Sequence, residues 1–178
     1  MKLKRILYIF LRRSHCMTAE ELRHKGAHIG ENFSNYGNID QGHTHLLTIG
    51  NNVTLASGCQ ILTHDASTKA VLGYSKIGCI TIGNNVFVGA NAIILPNTKI
   101  GSNCIIGAGS VIATDIPDNS VVVGNPCKII GKYDEYVKKN KNLQKNSPIY
   151  NKYWKTMNDN DRYKQYKDLK NGGIGFDL

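Results

Sequence analysis

The sequence predicts an all-β fold, a parallel β-helix in which short strands coil around a buried axis as a three-sided prism. Large aliphatic residues recur every six positions, small residues recur four positions after them, and glycine often follows the aliphatic residue. The aliphatic series is Ile82, Val88, Ile94, Ile100, Ile106 and Ile112. The small series is Val86, Ala92, Thr98, Cys104 and Ser110. An α-helix of 3.6 residues per turn cannot keep this period on one face, whereas six-residue sides of a coil can.

Each six-residue unit is predicted to form one side of the prism, with its aliphatic residue pointing inward and successive coils stacked about 4.8 Å apart. An earlier block repeats the pattern at Ile49, Leu55 and Ile61. Glycine or asparagine after the aliphatic residue, with glycine at Gly83 and Gly89, is expected to permit unusual backbone angles at the corners. The prism is assigned to residues 29–131.

Residues 1–28 are predicted to form an N-terminal helical segment. The apolar stretch Ile6–Leu11 is shorter than the core of a signal peptide and ends at two arginines, so we expect a surface helix and no secretion. No apolar run approaches the roughly 20 residues of a membrane span. Thr18 and Glu21 have the spacing of a capping box, and Gly26 is placed to end the short helix that follows.

After the prism, Asp115–Asp118 is expected to turn the chain, and Val121–Val123 to form a last side. Residues 132–178 are predicted to be a helical tail. Acidic residues at its start and lysines further on suit a first helix by its dipole, and a second is expected around 159–170.

The largest break in the repeat lies between Ile61 and Ile82. They are 21 residues apart, three more than a full coil of 18. We predict that the polar stretch from Thr63 to Lys76 leaves the prism as a loop. Loops on a rigid scaffold commonly carry function.

The formal net charge of +9 is uneven: residues 1–28 carry +5, residues 29–127 carry −2 and residues 128–178 carry +6. No nucleic-acid-binding motif accompanies the basic ends, so no nucleic-acid partner is predicted. A solvated, lysine-rich surface explains them, and peripheral membrane contact stays open. The five cysteines are odd in number with no CxxC pair, which favours a reduced, cytoplasmic protein.

Four segments carry a resemblance to a known family: 85–96, 106–112, 115–117 and the Gly-Asn-Pro-Cys-Lys motif of 124–128. Together they resemble the hexapeptide-repeat acetyltransferases, in particular the maltose/galactoside and polysaccharide O-acetyltransferases. The flat sides of such a prism suit side-by-side packing, most simply as a homotrimer with sites in the grooves between subunits. The resemblance implies a left-handed β-helix and acetyl-CoA as acetyl donor. It also implies a sugar or glycan acceptor.

The resemblance places the catalytic histidine at His64, at the start of the predicted loop. Imidazole, with an unperturbed pKa of about 6.5, suits the removal of a proton from a hydroxyl at neutral pH. A solvated loop histidine is the alternative. Asp65 is a candidate to orient the imidazole, or an ordinary loop acid. The acceptor end is assigned to Asn38, Asp40 and His43, with a structural turn as the alternative. His43 and His45 could share a face, but no metal site is predicted.

For acetyl-CoA, the resemblance implies contacts with small residues that let a thin pantetheine arm lie against backbone groups. The predicted donor-binding residues are Phe87, Ala90, Ala108, Ala113, Thr114 and Lys128. Small residues at prism corners and an ordinary surface lysine are the alternatives. Phe87 stands where relatives often carry tryptophan.

The sequence predicts O-acetylation of a sugar or surface glycan with His64 as general base. N-acetylation of an amino sugar or sugar nucleotide is an enzymatic alternative. Serine acetylation is disfavoured because 28 leading residues cannot supply the usual helical domain. A trimeric metal enzyme is disfavoured because no HxxxxH pair occurs. A purely structural prism would have no use for His64 and Lys128.

Overall fold

The computed structural model describes residues 16–178. The chain divides into two compact units, one that ends at Tyr133 and one that comprises Asp134–Leu178. The surface helix predicted around Ile6–Leu11 lies outside the described residues.

Helix α1 (Ala19–His24) precedes the strands and has both predicted caps. The Thr18 side chain accepts from the Glu21 N–H, and the Glu21 carboxylate accepts from the Thr18 N–H, which is a capping box. Gly26 has a left-handed φ of 90°, and its N–H donates to the Arg23 carbonyl. The sequence therefore predicted both ends of this helix.

Most strands in residues 28–132 form three sheets, named A, B and C here, and two further strands form a separate pair described below. Sheet A contains β1 (His28–Ile29), β4 (Leu47–Ile49), β9 (Ile80–Ile82) and β12 (Thr98–Ile100). Sheet B contains β2 (Ser34–Asn35), β5 (Val53–Leu55), β10 (Val86–Val88), β13 (Cys104–Ile106), β15 (Ser120–Val123) and β16 (Lys128–Lys132). Sheet C contains β3 (Asn38–Ile39), β6 (Gln60–Ile61), β11 (Ile93–Ile94) and β14 (Val111–Ile112).

The chain visits sheets A, B and C in turn, so it coils around a common interior. Neighbouring strands are parallel, with the exception of β16, which returns antiparallel to β15. Val86 pairs with Cys104, and Asn85 beside it bonds to Asn103, so one full coil takes 18 residues. The aliphatic residues from Ile82 to Ile112 are at most 1% exposed, and the small series from Val86 to Ser110 at most 3%. The parallel sheets confirm the predicted coil of short strands.

Asparagine supplies the left-handed backbone at most of the repeating corners, and glycine supplies it at Gly58 and Gly109. Asn85, Asn91, Asn97 and Asn103 have φ between 55° and 61°, each directly before a small inward residue. Gly89, by contrast, has no left-handed φ. A Cβ there would lie 2.5 Å from the Ala108 nitrogen, so glycine is needed because the next coil stacks so closely. The prediction that Gly83 and Gly89 adopt unusual backbone angles is therefore wrong.

The asparagine side chains at one corner form a ladder along the stack. Asn32 donates its amide to the Asn52 oxygen, Asn52 donates to Asn85, and Asn85 donates to Asn103, over 2.9, 2.9 and 3.0 Å. The ladder satisfies one side-chain amide with the next and holds successive coils in register.

The loop is present over the residues predicted for it, but its coil exceeds a regular coil by 15 residues rather than by the predicted three. Ile61 pairs with Ile94 rather than with Ile82, which pairs with Ile49 instead. The coil that contains the loop takes 33 residues from Asn52 to its partner Asn85, against 18 residues for the regular coil that follows.

This excursion has secondary structure of its own. It contains β7 (His64–Asp65), a 3₁₀ turn (Ala66–Thr68), α2 (Lys69–Leu72) and β8 (Lys76–Ile77). Strands β7 and β8 pair antiparallel, and the Gly78 N–H closes the neck by donating to the Thr63 carbonyl over 3.0 Å.

The first coil is irregular as well. It takes 20 residues from Asn32 to its partner Asn52, and the separation is larger still where Asn38 pairs with Gln60. The chain between β3 and β4 contains a 3₁₀ turn over Thr44–Leu46. The Thr44 hydroxyl donates to the Lys25 carbonyl over 2.6 Å, which ties this turn to the end of α1.

At the other end of the prism, the turn predicted at Asp115–Asp118 keeps a single parallel bridge from Ile116 to Ile100. The predicted last side is present as β15, which pairs with β13.

The second unit contains α3 (Tyr133–Lys145), β17 (Ile149–Tyr150), a 3₁₀ turn (Trp154–Thr156), α4 (Asp159–Leu169) and β18 (Phe176–Asp177). Helix α3 begins at the last residue of the first unit. Both predicted tail helices are present, and Asn158 and Asp161 form a capping box for α4. No side chain of residues 134–178 is fully buried. Across residues 16–178, no helix is both long and apolar enough to span a bilayer.

Candidate active site

His64 is the first residue of the excursion and begins β7, directly after the fully buried Thr63. Its side chain is 42% exposed. The imidazole therefore stands at the neck of the loop, where the chain leaves the prism and solvent or a ligand can reach it.

The partner of His64 is Asp40, which comes from the preceding coil. Asp40 follows β3, and its N–H donates to the Ile61 carbonyl over 2.9 Å, which places it beside the residues that enter the excursion. Its Oδ2 accepts from His64 Nδ1 and, over 2.7 Å, from the Thr63 hydroxyl. Its Oδ1 accepts from the Gly42 N–H over 3.0 Å. The carboxylate is only 7% exposed.

These contacts keep the carboxylate ionised and determine the tautomer of the imidazole. Burial by itself would raise the pKa of Asp40, but the hydrogen bonds from His64, Gly42 and Thr63 outweigh it and hold the pKa below its ordinary value. An ionised carboxylate can only accept hydrogen bonds, so Nδ1 of His64 must carry the proton. In the neutral ring, Nε2 is then left with a lone pair that can accept another.

Asp65 contacts Lys76 and Ser67 rather than His64, which favours the ordinary loop acid among the two alternatives left open for it. Its carboxylate accepts from the Lys76 ammonium at 2.6 Å and from the Ser67 N–H at 2.8 Å. The Lys76 contact, with help from Ser67, holds the pKa of Asp65 below its ordinary value. Successive side chains of a strand point to opposite sides, so Asp65 is directed at β8 while His64 is directed at Asp40. Asp40, predicted to contact the acceptor, takes the orienting position instead.

Of the other predicted acceptor residues, His43 lies beside this pair. The His43 ring is 5.8 Å from that of His64 and 5.9 Å from that of His45, measured between centroids. His43 precedes a 3₁₀ turn rather than lying in a strand. Asn38 is two residues before Asp40, in β3, and therefore shares its side of the chain. Within residues 16–178, no group of three or more histidine, cysteine or acidic side chains is arranged to hold a metal ion.

Three predicted donor-binding residues lie on sheet B and at the corner after it. Phe87 is 46% exposed on the outer face of β10, between Thr54 and Ile105 of the neighbouring strands. Ala90 and Ala108 stack at the corner, where the Gly109 N–H donates to the Ala90 carbonyl over 2.8 Å. Among the described residues, neither the Ala90 nor the Ala108 N–H has a hydrogen-bond partner. This corner therefore offers two free donors beside an exposed aromatic ring.

The remaining donor-binding candidates are placed elsewhere. Ala113 and Thr114 are exposed at the corner after sheet C, in the column of the stack that also contains Asp40. Lys128 is exposed at the start of β16. In the part of the first unit that the structure describes, no hydrogen bond, ion pair or ring contact joins His64 to Phe87, Ala90 or Ala108. One chain thus presents two separate groups of predicted site residues, on different edges of the prism.

Sequence reasoning missed two contacts of this site: the hydrogen bond between Asp40 and His64, and the one from Thr63 to Asp40. Asp40 is 24 residues before His64, and the irregular first coil hides their proximity from any count based on the regular repeat. Thr63 gives a signal only in retrospect, as a polar residue at the last buried position before the loop.

Comparisons with known proteins agree with the repeat. The family model of the bacterial transferase hexapeptide (six repeats) matches residues 79–114. The chain is 38% identical over 113 residues to the galactoside O-acetyltransferase of Escherichia coli (strain K12), an alignment that covers 61% of this chain and 55% of that protein. The predicted resemblance to hexapeptide-repeat acetyltransferases is confirmed, and the chain spans little more than half the length of this relative.

Two solved structures are similar to the chain. One is a maltose O-acetyltransferase from Clostridium difficile 630, with 40% identity over 60% of this chain and 59% of that one, and a TM-score of 0.49. The other is a hexapeptide-repeat containing acetyltransferase from Vibrio cholerae, solved with acetyl coenzyme A, with 24% identity over 61% of each chain and a TM-score of 0.54. The similarity to the Vibrio cholerae structure supports the assigned β-helix fold.

Proposed function

We propose that this chain, with its transferase hexapeptide repeats, is an acetyl-CoA-dependent O-acetyltransferase that acts on a hydroxyl of a sugar or surface glycan. The observation that carries the proposal is the His64–Asp40 pair at the neck of the excursion, an oriented imidazole exposed to solvent beside an ionised carboxylate. The identity to a galactoside O-acetyltransferase supports both the reaction and the class of acceptor.

In the proposed reaction, His64 acts as the general base. Its Nε2 takes the proton of the acceptor hydroxyl while that oxygen attacks the thioester carbon. Asp40 accepts from Nδ1–H throughout, and its charge stabilises the imidazolium that forms. When the carbon–sulfur bond breaks, His64 returns the proton to the departing sulfur. The products are the acetyl ester and free coenzyme A, and the imidazole is neutral again.

The donor is proposed to bind along sheet B and the corner after it. When bound, acetyl-CoA supplies an activated acyl group on a thiol leaving group. The free N–H groups of Ala90 and Ala108 suit the amide carbonyls of an extended pantetheine arm, and Phe87 offers an apolar wall. Lys128 is a candidate for the phosphates. Ala113 and Thr114 would be reached further along the arm.

The acceptor is proposed to lie at the rim formed by Asn38 and His43, next to His64. An amide and an imidazole can each donate to or accept from sugar hydroxyls. Asp40 is not proposed as an acceptor contact, because its oxygens already accept three hydrogen bonds and the side chain is nearly buried.

A homotrimer of left-handed prisms is proposed as the working assembly. The donor group on sheet B and the His64 group at the neck are on different edges of one chain, so a groove between two chains could bring them together. Sedimentation should then report three copies. A monomer at concentrations that support turnover would contradict this arrangement.

We propose a cytoplasmic location, which the odd number of cysteines without a CxxC pair in the sequence favours. Peripheral membrane contact through the basic ends stays a prediction.

The test is a thiol-release assay with acetyl-CoA across a panel of sugars, amino sugars, sugar nucleotides and serine. Release should depend on a sugar or glycan hydroxyl. Release only with amino sugars would indicate N-acetylation, and no release or coenzyme A binding with any acceptor would contradict the proposal.

Two carboxylate variants provide a matched comparison within that assay. Asp40→Asn should lower turnover by about ten- to a hundredfold, because it removes the charge that stabilises the imidazolium. Asp65→Asn should stay within about twofold, since Asp65 pairs with Lys76 and not with His64. The reverse order would restore Asp65 as the orienting group.

A further inference from the structure

We propose that Thr63 is a positioning residue, whose buried hydroxyl holds the Asp40 carboxylate in the orientation that keeps His64 in its Nδ1–H tautomer. The consequence for turnover rests on the proposed function, whereas the tautomer is a property of the folded chain alone. The two can therefore be tested separately.

The geometry gives Thr63 this position. Its side chain is fully buried, and its Oγ1 lies 2.7 Å from Asp40 Oδ2, the oxygen that also accepts from His64 Nδ1. The Gly42 N–H is bound to the other oxygen, Oδ1. A threonine hydroxyl has one proton, and facing an ionised carboxylate it must donate that proton. Rotation of the carboxylate away from His64 would therefore break bonds at both of its oxygens.

Thr63 is also fixed by its own backbone. Its carbonyl accepts from the Gly78 N–H at the neck of the excursion, which anchors the backbone, and the full burial of its side chain restricts the hydroxyl from following Asp40 if the carboxylate turns. It is thus a rigid donor at the junction of prism and loop. Without that donor, a nearly buried carboxylate would lack one of its three partners, and other orientations of Asp40 would compete.

The direct test is the tautomer of His64, read from the nitrogen-15 shifts of its imidazole ring by NMR. The wild-type chain should show protonated Nδ1 and unprotonated Nε2 in the neutral ring. Thr63→Val should give a mixture of tautomers, while Thr63→Ser, which keeps the hydroxyl, should retain the wild-type pattern.

Thr98→Val is the matched control. Thr98 is also buried, at 3% exposure, and its hydroxyl donates to the Leu95 carbonyl over 2.8 Å, with no contact to His64 or Asp40. Its replacement removes a buried hydroxyl from the same prism and should leave the His64 tautomer unchanged. A tautomer change in both variants would indicate general loosening and would overturn the proposal.

The kinetic readout follows from the same assignment. In Thr63→Val, kcat should fall by about tenfold with little change in the KM for acetyl-CoA, because the base is disoriented and the donor site is not touched. Thr63→Ser should recover kcat to within about twofold. A wild-type tautomer and a kcat within twofold of wild type in a folded Thr63→Val chain would overturn the proposal.

One measurement needs no variant. The Thr63 hydroxyl proton is buried and bound in wild type, so it should exchange slowly and give a nuclear Overhauser contact to the Nδ1 proton of His64. The absence of that resonance would overturn the proposal even if Thr63→Val does not fold. If no acceptor supports turnover, a wild-type Nδ1–H tautomer lost only in Thr63→Val would sustain the positioning role while the proposed function fails.

Discussion

The regular coils of residues 80–112 and the interrupted region of residues 38–78 differ in coil length and in the chemistry of the side chains that they bring together. In the regular coils a turn takes 18 residues, and the inward side chains are aliphatic or small, with no charged group among them. In the interrupted region the coil that carries the loop takes 33 residues, and an imidazole, a carboxylate and a hydroxyl meet at the neck of that loop. The regular repeat therefore forms the scaffold, and the candidate site lies where the repeat is interrupted.

The difference has a physical origin. In the regular coils, equivalent positions carry similar side chains, so the outer faces repeat from coil to coil and the interior is mostly apolar. An extra stretch of chain must leave the prism, because the interior has no room for it. The residues at its neck therefore face side chains of the adjacent coil that no repeat would place beside them. The following substitutions test this division.

The largest effect is expected in the interrupted region, on activity alone. His64→Ala should lower turnover by about 10²- to 10⁴-fold, the usual contribution of a positioned general base. Its melting temperature should stay close to that of wild type, because the side chain is 42% exposed. His28→Ala is the control, since His28 is exposed on sheet A, away from the loop. Equal losses in the two variants would remove His64 from the mechanism.

The next effect is expected in the regular coils, on stability. Ile82→Ala should reduce the free energy of unfolding by about 2–5 kcal/mol, because it leaves a cavity at a position that is 1% exposed. Thr81→Ala changes the outward neighbour in β9 and should cost about 0.5 kcal/mol or less. Denaturant unfolding at one protein concentration measures both. Similar losses would contradict the assignment of inner and outer faces.

A smaller effect is expected at the repeating corner. Asn85→Ala should cost about 1–2 kcal/mol, because alanine disfavours the left-handed φ of 55° found there. Asn85→Gly tolerates that conformation and should cost less, although both variants lose the amide ladder to Asn52 and Asn103. Denaturant unfolding again gives the two free energies. If glycine were the more harmful replacement, the side-chain ladder rather than the backbone would be the main contribution of Asn85.

The smallest effect is a pH dependence of stability that belongs to the interrupted region. Folding lowers the pKa of Asp40, so the folded chain holds this proton less tightly than the unfolded chain does. Its stabilisation is therefore fully present above about pH 4, the ordinary range of an aspartate, and is lost as the pH falls through the folded-state pKa. Melting temperatures of wild type should drop more steeply in acid than those of Asp40→Asn. Parallel profiles would contradict the lowered pKa.

The repeat is the part of this protein that the sequence alone determined. A six-residue period over Ile82–Ile112 is enough to define the coil, because one buried position per side is all that the fold needs to repeat. The same local logic predicted the caps of α1, the helices of the tail and the place where the loop leaves the prism. These features depend on neighbours a few residues away, so pattern and spacing reveal them.

The pairing of His64 with Asp40 was decided only by the tertiary structure. These residues meet because the first coil is longer than a regular one and contains a 3₁₀ turn that packs against the end of α1. Asp65, adjacent in sequence, turns away because antiparallel pairing sets it opposite Lys76. Which residues of two adjacent coils come into contact depends on the number of residues in each coil. That number is constant only where the six-residue repeat is unbroken. The candidate site lies in coils whose length departs from the regular 18 residues. Sequence spacing therefore located His64 but could not locate its partner, Asp40.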